Sequence, residues 1–308
     1  MSVVIPSVMR PHLESAIRSV VAQSNAPDLE VIVVFDLDPD QVSASTLQRV
    51  RSLADVVEFT GGGRGAPFAR NLGVARATGD FVAFLDDDDE WLPSKLSTQL
   101  SALRSSDSPA TTIMGCKVQQ VVSASGKTRG VTPATTIGPQ QRLEDYLFRK
   151  RRASIGRASF YTSTILAPSA IAQSVPWDEK LRRHQDWDWL LKAQSFGAEF
   201  TQSDEPLVLI QSGSEGSISA STDWESSLAW VRSWRTLWHR QTYTDFLYAQ
   251  CFRYAVQARS WHGLRRVCRE IANSRRFPSL GPLLIALGSV GPRELALRFL
   301  AAASWSSK

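Results

Sequence analysis

Short apolar runs and helical periodicity alternate along the first hundred residues of the chain. The β-rich runs lie at residues 2–6, 30–35, 56–60 and 80–85. The second and fourth runs are almost continuously apolar, which is typical of parallel strands covered on both faces. Apolar residues recur at helical spacing at residues 11–23, 67–77 and 92–103. This order of elements predicts an α/β fold with a Rossmann-like, mostly parallel sheet.

Beyond Asp107 the pattern becomes mixed and rich in loops. It predicts a strand at 112–122, a turn at 123–126, a β-like run at 160–167, a helix at 187–196 and a last strand at 207–211. A Ser/Gly-rich segment at 212–221 then precedes a helical, Trp-rich stretch at 223–276. We therefore predict one α/β domain at 1–215, with halves of about 1–107 and 108–215, and a helical extension at 216–308.

Charge is distributed unevenly over the 308 residues, whose formal net charge is +5. Residues 1–215 carry 22 Lys and Arg against 25 Asp and Glu, whereas residues 216–308 carry 13 against 5. A basic extension attracts an anionic membrane or a nucleic acid. Nucleic-acid binding needs exposed aromatics among the basic residues, whereas packing better explains the stripe of Trp230, Trp234 and Trp238. We expect no nucleic-acid partner, and we leave peripheral membrane contact open against docking of the tail on the protein.

Cysteine usage and the apolar segments bear on location. The three cysteines form no CxxC pair and the N-terminus has no signal-peptide features, so we expect a cytoplasmic protein that is not secreted. The apolar stretch 280–290 is broken by Gly281, Pro282 and Gly288, and it is far shorter than the roughly 20 residues of a membrane-spanning helix. We therefore expect no transmembrane helix.

Four consecutive acids, Asp86 to Asp89, follow the fourth β-rich run. Because side chains alternate along a strand, we expect Asp86 and Asp88 to point one way and the other two elsewhere. Two carboxylates on one side suit Mg²⁺ or Mn²⁺, which shares its remaining positions with water and substrate phosphates. The alternative is a solvated acidic turn that caps the next helix. Like charges crowded at the end of a buried strand favour the cation site.

Other candidate residues have two interpretations each. Asp36 ends the second β-rich run, where it either binds a base or ribose or opens a turn. The glycines at 61–65 lack the Gly-Lys-Ser/Thr of a Walker loop and indicate a flexible loop. Arg70, shortly after that loop, is either an anion contact or a structural residue.

The segment 184–189 contains an acid between aromatic residues just before a helix. Asp186 is either the helix N-cap or, between Trp187 and Trp189 in a partly desolvated cleft, a general base with a raised pKa. Sugar rings also stack on such aromatic faces. His184 is either a proton relay or a surface residue.

Several of these segments occur together in the order of a known family. The blocks are residues 3–6 with the helix that follows, 30–36, 69–73, 79–89 and 185–188. With these blocks the chain resembles the inverting family 2 glycosyltransferases, which have the GT-A fold. The resemblance covers about residues 2–215 and implies a nucleotide-sugar half at about 1–107 and an acceptor half at about 108–215.

The resemblance also implies roles for individual residues. Asp36 would contact the nucleotide base, Asp86 the ribose, and Asp88, in the family's Asp-x-Asp pattern, a Mn²⁺ or Mg²⁺ ion that bridges the diphosphate. Asp186 would be the catalytic base. Further candidates near the nucleotide sugar are Pro6, Arg70 and Asp87, and further candidates near the acceptor are His184, Gln185, Trp187 and Arg151. The basic run 149–152 that contains Arg151 is either a solvated face or a loop that binds a phosphorylated acceptor.

The implied reaction is a single displacement in which an acceptor hydroxyl attacks the anomeric carbon of a nucleotide diphosphate sugar with inversion. The expected donor is UDP-linked, and the expected acceptor is saccharide, lipid-linked or protein-linked, in polysaccharide or glycoconjugate biosynthesis. The alternative function is a catalytically silent GT-A-like protein that binds or scaffolds.

The chain departs from the family's pattern in three places. The changes at Gln185 and at the missing His favour that alternative, whereas the retention of Asp36, Asp86, Asp88 and Asp186 together argues against it. The acid pair usual after the second strand is reduced here to Asp36, with Asp38 displaced. The usual Glu-Asp pair is Gln185-Asp186, which keeps the proposed base but loses its acidic neighbour. No His follows the last strand, so Glu215 is a speculative substitute near the metal.

Overall fold

The computed structural model describes residues 1–25, 28–122, 127–149, 158–212 and 222–289. The strands within these ranges are β1 (Ser2–Ser7), β2 (Glu30–Phe35), β3 (Val56–Phe59), β4 (Phe81–Phe84), β5 (Glu90–Trp91), β6 (Thr112–Val122), β7 (Thr128–Thr132), β8 (Leu166–Pro168) and β9 (Glu199–Ser212). They form one sheet in the order β3-β2-β1-β4-β8-β6-β9-β5, and β7 pairs with β6.

Helices cover much of the remaining described chain. They are α1 (Leu13–Val21), α2 (Ala44–Arg51), α3 (Ala66–Arg76), α4 (Lys95–Arg104), α5 (Leu143–Phe148), α6 (Ser169–Ser174), α7 (Gln185–Ser195), α8 (Trp224–Ser233), α9 (Arg240–Phe246), α10 (Arg253–Gln257), α11 (Trp261–Ser274) and α12 (Leu280–Gly288). A π-helical turn, Leu247–Phe252, joins α9 to α10.

The predicted parallel sheet is confirmed for strands β3, β2, β1 and β4. Val4 of β1 lies opposite Ile32 on one side and Phe84 on the other, both in parallel register. β6 and β9 are also parallel, whereas β8 is antiparallel to β4 and to β6. Because β1, β2 and β4 run the same way, their carboxyl ends meet at one edge, which is where open α/β sheets bind ligands.

The core around this sheet has most of the residues that the periodicity predicted, with Val21 of α1 exposed instead of buried. Helix α1 buries Leu13, Ala16, Ile17 and Val20 against the strands. Helix α3 approaches β1 so closely that a Cβ on Gly73 would lie 2.3 Å from Cγ1 of Val4. A glycine is therefore required at this crossing.

Three elements differ from their prediction for local reasons. The run 160–167 contains a 3₁₀ turn, Thr162–Thr164, before the short β8, and the Thr164 hydroxyl donates to the Tyr161 carbonyl within that turn. The last strand extends over Glu199–Ser212, since β6 pairs with it along most of that length. The helix predicted from residue 92 begins at Lys95, because β5 and Pro93 precede it and the Leu92 amide donates to the Leu207 carbonyl.

The chain divides into two compact units. The first comprises Met1–Leu143 with Ala158–Gly216, and the second comprises Glu144–Arg157 with Ser217–Lys308. The predicted boundary near 215 lies close to this junction, whereas the sequence pattern placed the segment that begins at Glu144 in the first domain. The sequence pattern does not reveal this arrangement, because the segment that begins at Glu144 belongs to a unit whose other residues begin more than sixty positions later in the chain.

Within the second unit, aromatic side chains pack into a buried cluster. Trp230 lies 5.7 Å from Trp238 and 5.4 Å from Phe246, measured between ring centroids, and Phe148 stacks on Trp238 at 5.0 Å. The three tryptophans are therefore core residues, as predicted, but they do not share one helix, because α8 ends at Ser233. In the part of the chain that the structure describes, no helix is both long and apolar enough to cross a membrane.

Candidate functional site

The four aspartates lie in a turn at the carboxyl end of β4. The strand ends at Phe84, and the Asp89 amide donates to the Asp86 carbonyl at 3.1 Å. The predicted alternation along a strand is therefore wrong, but the turn separates the carboxylates into the predicted pairs. Asp87 and Asp89 are 1% and 5% exposed, whereas the side chains of Asp86 and Asp88 are 33% and 17% exposed.

The alternative of a solvated turn that caps the next helix is wrong. Two of the four carboxylates are buried, and α4 begins only at Lys95, with β5 between the turn and the helix. The turn is held by hydrogen bonds from three other segments.

Asp87 ties the end of β1 to the acidic turn. Its carboxylate accepts from the Ser7 hydroxyl at 2.6 Å, from the Val8 amide at 3.1 Å and from Nη1 of Arg10 at 2.5 Å. Pro6, another candidate at this strand end, is buried in β1 opposite Val34. These bonds set the direction of the chain as it leaves β1 at the ligand-binding edge.

Asp89 fixes the other side of the turn. It accepts from the Ser163 hydroxyl at 2.6 Å and from the Gln211 amide at 3.2 Å, while the Ser163 oxygen accepts from the Asp86 amide at 3.1 Å. Burial and the nearby Asp86 raise the pKa of Asp89 well above its usual value. Ser163 thus links Asp86 and Asp89, a role that no sequence motif indicated.

Asp36 holds the glycine-rich loop. Its carboxylate accepts from the Arg64 and Gly65 amides, both at 2.8 Å, and from the Thr60 hydroxyl at 2.6 Å. The loop turns through positive φ angles at Gly61, Gly62, Gly63 and Gly65. Asp36 thus organises the loop at the carboxyl end of β2, at the same edge of the sheet as the acidic turn after β4.

Arg70 binds one of the predicted functional carboxylates and acts electrostatically on another. Its Nη2 donates to Oδ1 of Asp86 at 2.6 Å, and its guanidinium lies 4.6 Å from the Trp177 ring. Asp186, in the first turn of α7, is half-buried in the same group. Burial raises the pKa of Asp186 to about 6, opposed by the Trp187 backbone amide and by Arg70, and reinforced by Asp86.

The residues around Asp186 have distinct surroundings. His184 has a left-handed backbone (φ 61°) and stacks on Trp187 at 4.7 Å; it is buried, so the surface interpretation is wrong. Gln185 donates from its side chain to the Leu181 carbonyl. Trp189 is fully buried, stacks on Trp177 at 5.0 Å and donates to the Val175 carbonyl, so it offers no face to a sugar.

Arg10 is a candidate that the sequence pattern missed. Its side chain is 39% exposed, and Nη1 lies 2.5 Å from Asp87 and 3.7 Å from Oδ1 of Asp88. Its position just after β1 was a usable signal, because that strand end lies at the ligand-binding edge. Of the remaining candidates, Arg151 and Glu215 lie outside the described residues.

A divalent cation fits the surroundings of Asp88. Burial, Asp86 and Asp87 raise the pKa of Asp88, against the effect of Arg10, so additional positive charge would stabilise its ionised form. Among the described residues no group of three or more His, Cys, Asp or Glu side chains is arranged to hold a metal. Asp88 would supply one ligand, and Mg²⁺ characteristically completes its shell with water and substrate phosphates.

The chain matches a known family and known folds. The sequence model of glycosyl transferase family 2 matches residues 2–167. The amylovoran biosynthesis glycosyltransferase AmsB of Erwinia amylovora is 31% identical over 195 residues, which are 62% of this chain and 62% of AmsB. The chain thus spans less than two thirds of that relative.

Two solved structures share the fold. S. aureus TarS 1-349 in complex with UDP-GlcNAc has a TM-score of 0.61 at 16% identity, covering 98% of this chain and 87% of that chain. The mannosyltransferase PcManGT from Pyrobaculum calidifontis, in complex with GDP-Man and Mn²⁺, has a TM-score of 0.53 at 16% identity, covering 100% and 87%. The predicted GT-A fold is confirmed by this similarity.

Proposed function

The chain belongs to glycosyl transferase family 2, and from that premise we propose that it transfers a sugar from a nucleotide diphosphate sugar to an acceptor hydroxyl with inversion. The observation that carries the proposal is the grouping of Asp86, Arg70 and Asp186 beside Asp88, at the carboxyl edge of the parallel strands. Such a transfer needs a site for the donor, proposed at the acidic turn, and a general base, proposed to be the carboxylate with the raised pKa.

The donor site comprises the ends of β1, β2 and β4. Asp36 is proposed to contact the base and Asp86 the ribose, with Arg70 holding the Asp86 carboxylate. Arg10, exposed beside the acidic turn, is suited to contact the diphosphate, because guanidinium groups bind phosphate oxygens in pairs. A UDP-sugar is the proposed donor, supported by the UDP-GlcNAc complex of the structurally similar TarS.

Asp88 is the proposed protein ligand of Mg²⁺ or Mn²⁺. When bound, such an ion stabilises the negative charge of the departing diphosphate. The Mn²⁺ in the structure of PcManGT supports this assignment by analogy of fold.

Asp186 is the proposed general base. With a pKa of about 6, its carboxylate is ionised at neutral pH and still basic enough to accept a proton from an acceptor hydroxyl. The deprotonated oxygen then attacks the anomeric carbon as the bond to the diphosphate breaks. The acceptor is proposed to be saccharide, lipid-linked or protein-linked, and the product a polysaccharide or glycoconjugate, in line with the role in amylovoran biosynthesis that AmsB's name gives.

An assay of nucleotide release tests the proposal. UDP-, GDP- and dTDP-sugars are incubated with the chain and Mn²⁺, with and without a panel of saccharide acceptors, and the free nucleotide diphosphate is measured. We expect release from one nucleotide class, and its loss in Asp186→Asn. Asp178→Asn, which removes a nearby carboxylate bonded to Lys192, is the control. Nucleotide binding without turnover of any donor would favour the silent binding or scaffold protein.

Peripheral contact with an anionic membrane is proposed for the C-terminal extension. Phe277 is 90% exposed, and Leu280, Leu284 and Leu287 of α12 are also exposed at helical spacing. Arg275 and Arg276 precede them, and basic residues beside exposed apolar ones suit an anionic interface. Flotation on anionic liposomes, with and without residues 277–308, tests this contact; failure of both forms to bind would disprove it.

A further inference from the structure

A cavity of about 600 Å³ opens in the second unit, between the start of α9 and the end of α11. Its polar lining residues are Arg235, Thr236, Arg240, Asn273, Ser274 and Arg275. Small-molecule sites have volumes of about 300–1,000 Å³, so the cavity is large enough for a phosphorylated ligand. None of these residues belongs to the proposed donor site.

The charges around the cavity are not balanced. Glu270 is buried and pairs with Arg232 at 2.7 Å, and Arg235 reaches it at 3.5 Å. The Glu270 carboxylate also accepts from the Tyr243 hydroxyl at 2.8 Å, so its oxygens are already engaged. Among the described residues, no acidic side chain forms a salt bridge with Arg240 or Arg275. Three arginines therefore line the cavity, and among the described residues only Arg235 of the three forms a salt bridge, with Glu270.

The C-terminal end of α11 lies at the cavity, and its partial negative charge must be weighed against the arginines there. Asn273 and Ser274 form its last turn, and Arg275 follows in a left-handed conformation (φ 52°). A helix C-terminus carries about half a negative charge, and an arginine there is often explained by that charge alone. Here Arg235 and Arg240 come from a different segment, so three arginines line the cavity where the helix end accounts for one.

We propose that this cavity is a binding site for the phosphate or diphosphate group of a ligand. Planar guanidinium groups bind phosphate oxygens in a bidentate manner, and several of them around one cavity favour an oxyanion over a neutral sugar. Thr236 and Asn273 add neutral hydrogen-bonding groups at the rim. The ligand is either a soluble phosphate ester or a phosphorylated lipid headgroup, and both present the same chemistry. This inference goes beyond the proposed transferase activity and does not depend on it.

Calorimetry with inorganic pyrophosphate tests the soluble source. EDTA is present throughout, so that any metal-dependent donor binding is suppressed. We expect saturable binding to the wild type that weakens as NaCl is raised, and at least a tenfold loss of affinity in Arg240→Gln/Arg275→Gln. Arg265→Gln, an exposed arginine of α11 outside the cavity, should bind as the wild type does. Circular dichroism checks that each variant is folded.

Flotation on phosphatidylglycerol vesicles tests the lipid source with the same variants. Loss of flotation in the double variant, without pyrophosphate binding by the wild type, would assign the cavity to a lipid headgroup, provided that Arg276→Gln, which alters the proposed membrane contact outside the cavity, still floats. Asp88→Asn separates the cavity from the donor site and should leave pyrophosphate binding unchanged. If Asp88→Asn abolishes that binding, or if the double variant matches the wild type in both assays, the proposal is overturned.

Discussion

Asp86, Asp87, Asp88 and Asp89 are neighbours in the chain, but their carboxylates meet different partners. Asp87 and Asp89 are buried and bind the chain after β1 and the turn at Ser163. Asp86 and Asp88 remain accessible, and Arg70 holds the former. Two of the acids therefore position the turn, and the other two are the proposed contacts of the donor and the metal.

The pKa of Asp186 predicts how the reaction rate depends on pH. The active form of a general base is the deprotonated one, and burial raises this pKa to about 6. We expect kcat/KM to fall as the pH decreases through about 6, since Asp186 then becomes protonated. Asp186→Asn should reduce kcat by about 10²- to 10⁴-fold with nucleotide affinity retained.

Initial rates between pH 5 and 8 check this prediction, with Asp178→Asn as the matched control. The control should keep both the rate and the pH profile. An Asp186→Asn variant that keeps the wild-type rate would show that another group accepts the proton.

Ser163 offers a second test at the scale of single residues. Ser163→Ala removes the bond to Asp89 and the acceptor for the Asp86 amide, leaving buried polar groups unpaired. We expect a loss of about 1–3 kcal/mol in the free energy of unfolding and weaker UDP binding. Urea unfolding and calorimetry measure the two effects, and Ser101→Ala on the exposed face of α4 is the control. Unchanged UDP affinity would mean that Ser163 supports the fold without positioning Asp86.

Lys95 is fully buried, and burial lowers its pKa to about 7. Its Nζ lies 3.8 Å from the Trp91 ring and donates to Gln99. The unfolded chain, with a Lys pKa of about 10.4, binds more protons than the folded chain between these two values. The free energy of unfolding should therefore rise with pH from about 7 to 10, by up to about 1.4 kcal/mol per pH unit.

Lys95→Met should remove this rise and be more stable than the wild type below pH 7. Urea unfolding at pH 6.5 and 9.5 measures the slope. Lys192→Met is the control, because Asp188 and Asp178 raise the pKa of Lys192 and keep it protonated over this range. An unchanged slope in Lys95→Met would disprove the assignment.

Sequence reasoning predicted the carboxylates of the candidate site better than the groups that hold them. Asp86, Asp88 and Asp186 follow from motifs at the ends of predicted elements. Arg10 was indicated only by its position just after β1, and Ser163 was not indicated at all, because its role depends on a contact across more than seventy residues. Such contacts carry no local signal in a single sequence.

At the scale of elements, the crossing of α3 over β1 depends on one missing methyl group. A Cβ on Gly73 would lie 2.3 Å from Cγ1 and 3.1 Å from Cγ2 of the buried Val4. In an unconstrained helix, Gly→Ala stabilises by up to about 1 kcal/mol. Here we expect Gly73→Ala to destabilise the protein by about 1–3 kcal/mol, because the helix must move away from the strand.

A double-mutant cycle isolates this contact. Val4→Ala removes the two methyl groups that the new side chain would meet, so Gly73→Ala should cost less in that background. Chemical denaturation of the four proteins gives the coupling free energy. Equal costs in both backgrounds would show that the α3–β1 distance is not what requires a glycine.

The elements predicted best are those with a strong local period. The bounds of β2 and β6 match their predictions, and α1 buries four of the five residues that its spacing indicated, with Val21 exposed. Short elements such as β5 and β7 were missed, because each is stabilised by pairing with a distant or adjacent partner strand rather than by its own pattern. The differences between the predicted and observed elements concern short strands, whose length and pairing are determined by the tertiary structure.

At the scale of the whole molecule, the family match, the charge distribution and the compact units have their boundaries at different residues. The family match ends at residue 167, while the first compact unit continues to Gly216 and excludes the segment that begins at Glu144. The second unit contains the excess of basic residues, the buried tryptophan cluster and the arginine-lined cavity. Its proposed contacts are anionic, whereas the first unit supplies the proposed donor site and base.

The central claim is that the acidic turn binds a nucleotide diphosphate with a divalent cation. Thermal unfolding of the wild type with UDP, GDP and dTDP, each with and without Mn²⁺, tests it most directly. At about 100 times its Kd a ligand stabilises the folded state by about 2.7 kcal/mol. Asp88→Ala is compared with Asp80→Ala, an exposed carboxylate just before the opposite end of β4. We predict a Mn²⁺-dependent increase in Tm with one nucleotide, abolished by Asp88→Ala and kept by Asp80→Ala. No increase with any nucleotide, or one that persists in Asp88→Ala, would contradict the account.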